Sequence, residues 1–91
     1  MGDGGHPEYQ IPDQVYLREV NGQLVLLNLD TEQYFGLDEV GAVIVGKLTE
    51  VPVATALSEL LDIFEVDSER LRDDVDNLVA SLLGAGLLER R

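Results

Sequence analysis

The order of apolar patterns along this chain predicts an α+β domain, a three-stranded antiparallel sheet followed by three helices packed on one of its faces. Two observations carry that reading. Three β-rich runs separated by turn residues occupy the first half, and three segments with helical spacing of apolar residues occupy the second. No internal repeat interrupts the order.

Residues 1–13 hold three Gly, two Pro and no apolar period, so nothing there repays the entropy of ordering, and a flexible tail is expected. The domain proper is expected over 14–91. Gln-Val-Tyr-Leu-Arg-Glu-Val from Gln14 and Gln-Leu-Val-Leu-Leu-Asn-Leu from Gln23 flank Asn21-Gly22, the dipeptide best suited to a type I′ turn, which predicts a hairpin. A second break at Asp30-Thr31-Glu32 leads into Gln33–Leu37, short and aromatic, the third strand and an edge of the sheet.

Asp38 is a good N-cap, and Val40, Val43, Ile44 and Leu48 behind it fall at helical spacing. Pro52 suits the first position of a second helix, in which Val53, Ala56, Leu57, Leu60 and Leu61 form one stripe. Asp67 or Ser68 can cap the third and longest helix. Its central stripe is Leu71, Val75, Leu78 and Leu82, and Gly84 or Gly86 ends it.

Composition excludes several functions. Eighteen acidic against six basic residues give a net charge of −12 over 91 residues, which repels phosphate and argues against nucleic acid as a partner. At 45% hydrophobic residues the chain is too apolar for a disordered acidic tail. The absence of cysteine removes disulfides, thiolate nucleophiles and zinc-thiolate sites together, and makes the cytoplasm the default compartment. The longest uncharged run, Asn77 to Leu88, is 12 residues, well short of the ~20 that span a bilayer, so no membrane association is expected.

The catalytic inventory is thin. His6, the single histidine, lies in the expected tail, and no nucleophile elbow or Gly-rich phosphate loop is present. Asp73, Asp74 and Asp76 fan out over a helix surface without the spacing of a calcium loop, so neither a metal nor a cofactor is implied. Asp67-Ser68 is followed by Glu69 rather than Leu, which makes Ser68 a capping residue and not a prosthetic-group attachment site. A non-enzyme is expected. The third helix carries more apolar surface than one contact needs: Arg72, Asp76, Val79 and Leu83 form a second stripe along one shoulder. Val79 and Leu83 either complete the core or line a groove beside the exposed strand, where an extended peptide adds main-chain hydrogen bonds.

The stretch Leu27-Asn28-Leu29-Asp30-Thr31-Glu32-Gln33-Tyr34-Phe35-Gly36-Leu37-Asp38-Glu39-Val40-Gly41 resembles the signature of the PqqD-like family, the recognition elements for precursors of ribosomally synthesised and post-translationally modified peptides (RiPPs). The helix beginning near Pro52, the Phe64-Glu65-Val66 link and the closing Gly84-Ala85-Gly86-Leu87-Leu88 follow the same order, so the resemblance runs from Gln14 to Leu88. Val45 stands where many members carry Trp.

The resemblance implies a winged helix-turn-helix-like fold and a protein that binds a precursor's leader region without performing a reaction. With nothing fused at either end, the chain is most similar to the discrete leader-binding proteins of lasso peptide pathways, whose partners are a leader peptidase and a macrolactam-forming cyclase. Carried onto this sequence, the leader pairs antiparallel with Glu32, Gln33, Tyr34, Phe35, Gly36 and Leu37 and lies against Arg72, Asp76, Val79 and Leu83. Leaders in this family commonly carry Tyr-x-x-Pro, for which Tyr34, Val79 and Leu83 form the expected pocket. The charge of −12 independently favours a basic peptide. The alternative is a structural adaptor or transcription-associated winged helix that binds a folded partner, marked by an apolar patch broader than one groove.

Overall fold

A computed structural model describes residues 5–91. Its elements are β1 (Tyr9–Gln10), β2 (Val15–Val20), β3 (Gln23–Asn28), β4 (Tyr34–Leu37), α1 (Glu39–Leu48), α2 (Val53–Ile63), α3 (Ser68–Gly84) and β5 (Glu89–Arg90). β2, β3 and β4 form an antiparallel sheet in chain order, with Val15 opposite Asn28 and Leu24 opposite Leu37. The expected α+β architecture is present. Asn21 and Gly22 both have positive φ, 52° and 81°, as a type I′ turn requires of its two central residues.

The N-terminal segment departs from the expected tail. Residues 1–4 lie outside those described, but Tyr9 and Gln10 pair with Arg90 and Glu89, and Pro12 and Val15 are buried. The Glu8 backbone oxygen accepts from Arg91 N, and its carboxylate accepts from Val53 N at 2.7 Å, at the start of α2. That helix has no side-chain cap of its own at Pro52. What orders this stretch is distant in sequence, the C-terminal strand and a helix end, so local composition gave no sign of it.

One face of the sheet packs on the helices. Val15, Leu26 and Leu37 meet Ile44, Val45 and Leu48 of α1, Ala56 and Leu60 of α2, and Leu71, Val75, Val79 and Leu82 of α3 in a single core closed by Leu87 and Leu88. Val45, the departure from the family pattern, is therefore a core residue. Two placements correct the helical-wheel reading: Val40 is exposed, and on α3 Val79 is buried at 9% exposure while Leu78 is only partly covered. Leu71, Val75 and Leu82 of the expected stripe reach the core, and Val79 joins them where Leu78 was expected.

Caps and clips fix the ends. Asp38 Oδ1 accepts from Gly41 N at 2.7 Å at the start of α1. Asp67 occupies the N-cap position of α3 without a side-chain hydrogen bond. At the other end Leu87 N donates to Leu82 O and Gly86 N to Leu83 O, a Schellman closure made possible by Gly86 at φ 71°. Lys47 Nζ donates to Glu59 Oε1 at 2.9 Å, tying α1 to α2, and that hydrogen bond raises the Lys47 pKa.

The one buried polar side chain among the described core residues, Asn28, is fully engaged. Its Nδ2 donates to Gly86 O at 2.7 Å, and its Oδ1 accepts from Asp30 N and Thr31 N. It thereby fixes the β3–β4 turn to the end of α3.

Candidate functional site

The site grows from the free edge of β4. Asn28 N donates to Gln33 O, so the pair 28/33 is hydrogen bonded, and in an antiparallel ladder every second pair after it is bonded too. Phe35 and Leu37 therefore point their N–H and C=O groups at β3, whereas those of Tyr34 and Gly36 point outward. Among the described residues no strand covers that side, since β4 ends the sheet order. An extended peptide finds a bonding partner there at every second residue.

Beside this edge lies an open cleft of about 410 Å³ between β4 and the helices. Phe35, Gly36 and Leu37 form one wall, Val40, Gly41 and Ile44 of α1 the base, and Asp74 and Leu78 of α3 the far wall, with Gln23 at one end. The floor is apolar and the rim acidic: Asp38 and Asp74 border it, and no basic residue does. Such a cleft accepts apolar side chains directed inward from an added strand and favours cations beside them.

The residues expected at the site fall into three groups. Tyr34, Phe35, Gly36 and Leu37 form the edge strand as expected. Glu32 and Gln33 lie just outside it, in the turn: Glu32 has φ 61° and donates its N–H to Asn28 O, and Gln33 N donates to Thr31 Oγ1. The helical residues are a correction. Val79 is in the core, Leu83 is partly buried against it, Asp76 is exposed, and Arg72 borders a different groove, between α2 and α3, with Leu57, Leu61, Ser68 and Glu69.

The wall facing β4 is Asp74 and Leu78, about 150° around the helix from the shoulder inferred from sequence. A helical wheel shows two shoulders flanking an apolar stripe, and which of them meets the sheet edge depends on how the helix lies across the sheet. Sequence held no sign that separates the two, since Asp74 precedes Leu78 by one turn much as Asp76 precedes Val79.

The sheet's other face is also apolar. Tyr16, Val20, Val25, Leu27, Leu29 and Tyr34 surround a shallow depression of about 490 Å³, with Arg18 as its single charged lining residue. Tyr34 is 73% exposed and belongs to this outer face, not to the cleft.

Sheet, helix order and open edge together define a small winged helix-turn-helix-like domain in which the edge strand β4 is free to pair. The sequence pattern of the family described as coenzyme PQQ synthesis protein D (PqqD) matches residues 23–88, and the chain belongs to that family, whose domains are RiPP recognition elements. Among solved structures it is similar to one described as TbiB1 in complex with the TbiA(beta) leader peptide, at 31% identity and a TM-score of 0.78 over 88% of this chain and 94% of that one. A lasso peptide synthetase B1 complexed with the leader peptide matches at 24% identity and a TM-score of 0.81, covering 90% and 98%, and supports the fold. No curated protein matches the sequence. No helix among the described residues is long and apolar enough to cross a membrane.

Proposed function

We propose that this protein binds the leader region of a ribosomally synthesised precursor, that of a lasso peptide, and presents it to a leader peptidase and a cyclase. The observation that carries the proposal is the free β4 edge, with Tyr34 and Gly36 offering main-chain groups above a cleft closed by Leu78 and Asp74. The leader adds as a fourth strand, antiparallel to β4. Inward side chains enter the cleft, and basic residues lie along its acidic rim. The similarity to TbiB1, solved in complex with a leader peptide, supports leader binding by this chain. Binding needs no chemistry from the protein, and the chain acts as a carrier without a reaction of its own.

A specific observation favours a second, compatible contact with a folded protein. The depression on the outer sheet face is lined by six apolar or aromatic residues and Arg18, with no carboxylate, in a chain at −12. Patches of this kind mark protein contacts, and the occupant that presentation requires is the leader peptidase.

The test takes the product of any short open reading frame that neighbours this gene as the candidate precursor. Fluorescence anisotropy with its synthetic leader should show saturable binding, and mass spectrometry should show the precursor unchanged with this protein alone but cleaved faster when the peptidase is added. No leader binding would refute the reading, and cleavage by this protein alone would refute the carrier role.

A further inference from the structure

The helices do not cover the inner face of the sheet out to its second edge. Leu17 stands opposite Leu26 and Glu19 opposite Leu24, which in turn stands opposite the core residue Leu37, so Leu17, Glu19 and Leu24 share the face that packs on the helices. Leu26 is 0% exposed, yet Leu17 is 51% exposed and Leu24 is only partly buried. Toward β2, therefore, a strip of inner face is left without a partner among the described residues.

Between that strip and α1 lies a cavity of about 350 Å³. Leu24 with Ala42 and Val43 of α1 gives it an apolar floor, Glu19, Asp38 and Glu39 stand at its rim, and no basic side chain lines it. None of the three carboxylates forms an ion pair among the described residues. The cavity adjoins the cleft beside β4: Asp38 borders both, and the hairpin-tip neighbours Gly22 and Gln23 line one each.

The direction of an added strand brings a peptide to this corner. A leader antiparallel to β4 has the N-terminal end of its paired stretch at Leu37, so the residues before that stretch leave the sheet beside Asp38 and the hairpin tip. Leu24, on β3, is two strand spacings from the added strand, ~10 Å, which about three or four residues of extended chain cover.

We infer that this cavity is a second leader subsite, which takes a lysine or arginine side chain from the segment just before the paired stretch. The aliphatic stem lies on Leu24, Ala42 and Val43, and the cation reaches Glu19 and Glu39 at the rim. Long basic side chains suit such a place, because they bury the stem on apolar surface and keep the charged head in water. The inference rests on the leader-binding reading and adds to it a contact outside the paired strand, on the other side of the start of α1 from the cleft.

The test uses the candidate leader as a synthetic peptide, at full length and cut back from its N-terminus to the shortest form that still shifts the methyl resonances of Ile44 in the cleft. The full leader should also shift those of Leu24, Ala42 and Val43, and the short form should leave them in place. The short form should bind roughly tenfold more weakly. Glu19→Gln combined with Glu39→Gln alters two exposed side chains and should melt close to the native temperature. It should bind the full leader roughly threefold more weakly than the native protein does, and the short form equally well. Asp62→Asn combined with Glu65→Gln removes the same charge away from the cavity and should lose less for the full leader.

Unmoved Leu24, Ala42 and Val43 methyls, equal losses in the two double variants, or a leader with no Lys or Arg in the about six residues before the short form would overturn the inference. Failure of the native protein to bind the full leader would instead refute the reading beneath it.

Discussion

Replacing Asn28 should loosen the frame that holds the edge strand. Its side chain is 2% exposed and makes three hydrogen bonds, to Gly86 O at 2.7 Å, from Asp30 N at 2.9 Å and from Thr31 N at 3.2 Å. Asn28→Ala removes all three. Asp30 and Thr31 are exposed, so water can take their freed N–H groups at little cost, whereas the carbonyl of Gly86 faces a hole. At about 0.5 kcal/mol for each turn bond and about 1–3 kcal/mol for the carbonyl, the loss comes to about 2–4 kcal/mol. For a domain of this size that lowers the melting temperature by roughly 10–25 °C.

Asn28→Asp separates the donor from the acceptor. It keeps the oxygen that serves the turn and sets a second oxygen against Gly86 O. Burial and the facing carbonyl raise the new carboxyl's pKa above its unfolded value of about 3.9. Such a group binds its proton more tightly in the folded state, so its stability is full below the unfolded pKa and is lost as pH rises through the folded one. Protonated, its hydroxyl can donate to Gly86 O in place of Nδ2. Urea titrations of native and variant proteins at about pH 4 and about pH 7, compared at each pH so that the native carboxylates cancel, should show the smaller deficit in acid. An Asn28→Ala deficit under ~1 kcal/mol, or an Asn28→Asp deficit equal at both pH values, would refute this account of the clip.

On α3, Leu82→Ala, at 0% exposure, should cost about 2–5 kcal/mol and Val79→Ala somewhat less, while Leu78→Ala should melt nearer the native temperature and bind leader several-fold more weakly. Paired melts and anisotropy titrations check this, and normal binding by Leu78→Ala would remove α3 from the site. Phe35→Pro deletes a donor to β3 and should destabilise the sheet, whereas Gly36→Pro deletes one that faces the open edge and should spare the melt while abolishing leader pairing. Leader affinity should fall as ionic strength rises past ~0.15 M, where charges more than about 8 Å apart are screened. Asp74→Asn should reduce that salt dependence more than Asp76→Asn does, because only Asp74 borders the cleft; equal effects would assign steering to net charge alone.

Features that depend on neighbours in the chain were legible from the residues alone. Asn21-Gly22 specified its turn through two positive φ angles, Asp38 capped α1, and the run Gln33 to Leu37 announced the edge strand of the three-stranded sheet. The family signature around Tyr34-Phe35-Gly36-Leu37 belongs to this local kind, which is why the edge strand of the candidate site was legible. Tertiary structure decided whatever depends on how one element lies over another. The periodicity of α3 was visible, but only the crossing of the helix over the sheet placed Val79 in the core and brought Leu78 and Asp74 to β4. Tyr9 and Gln10 became a strand because Glu89 and Arg90 arrive beside them from the far end of the chain, and Glu8 became a cap because the start of α2 comes within its reach. Such contacts join residues 45 to 81 positions apart, and a local pattern of apolar and turn residues holds no record of them.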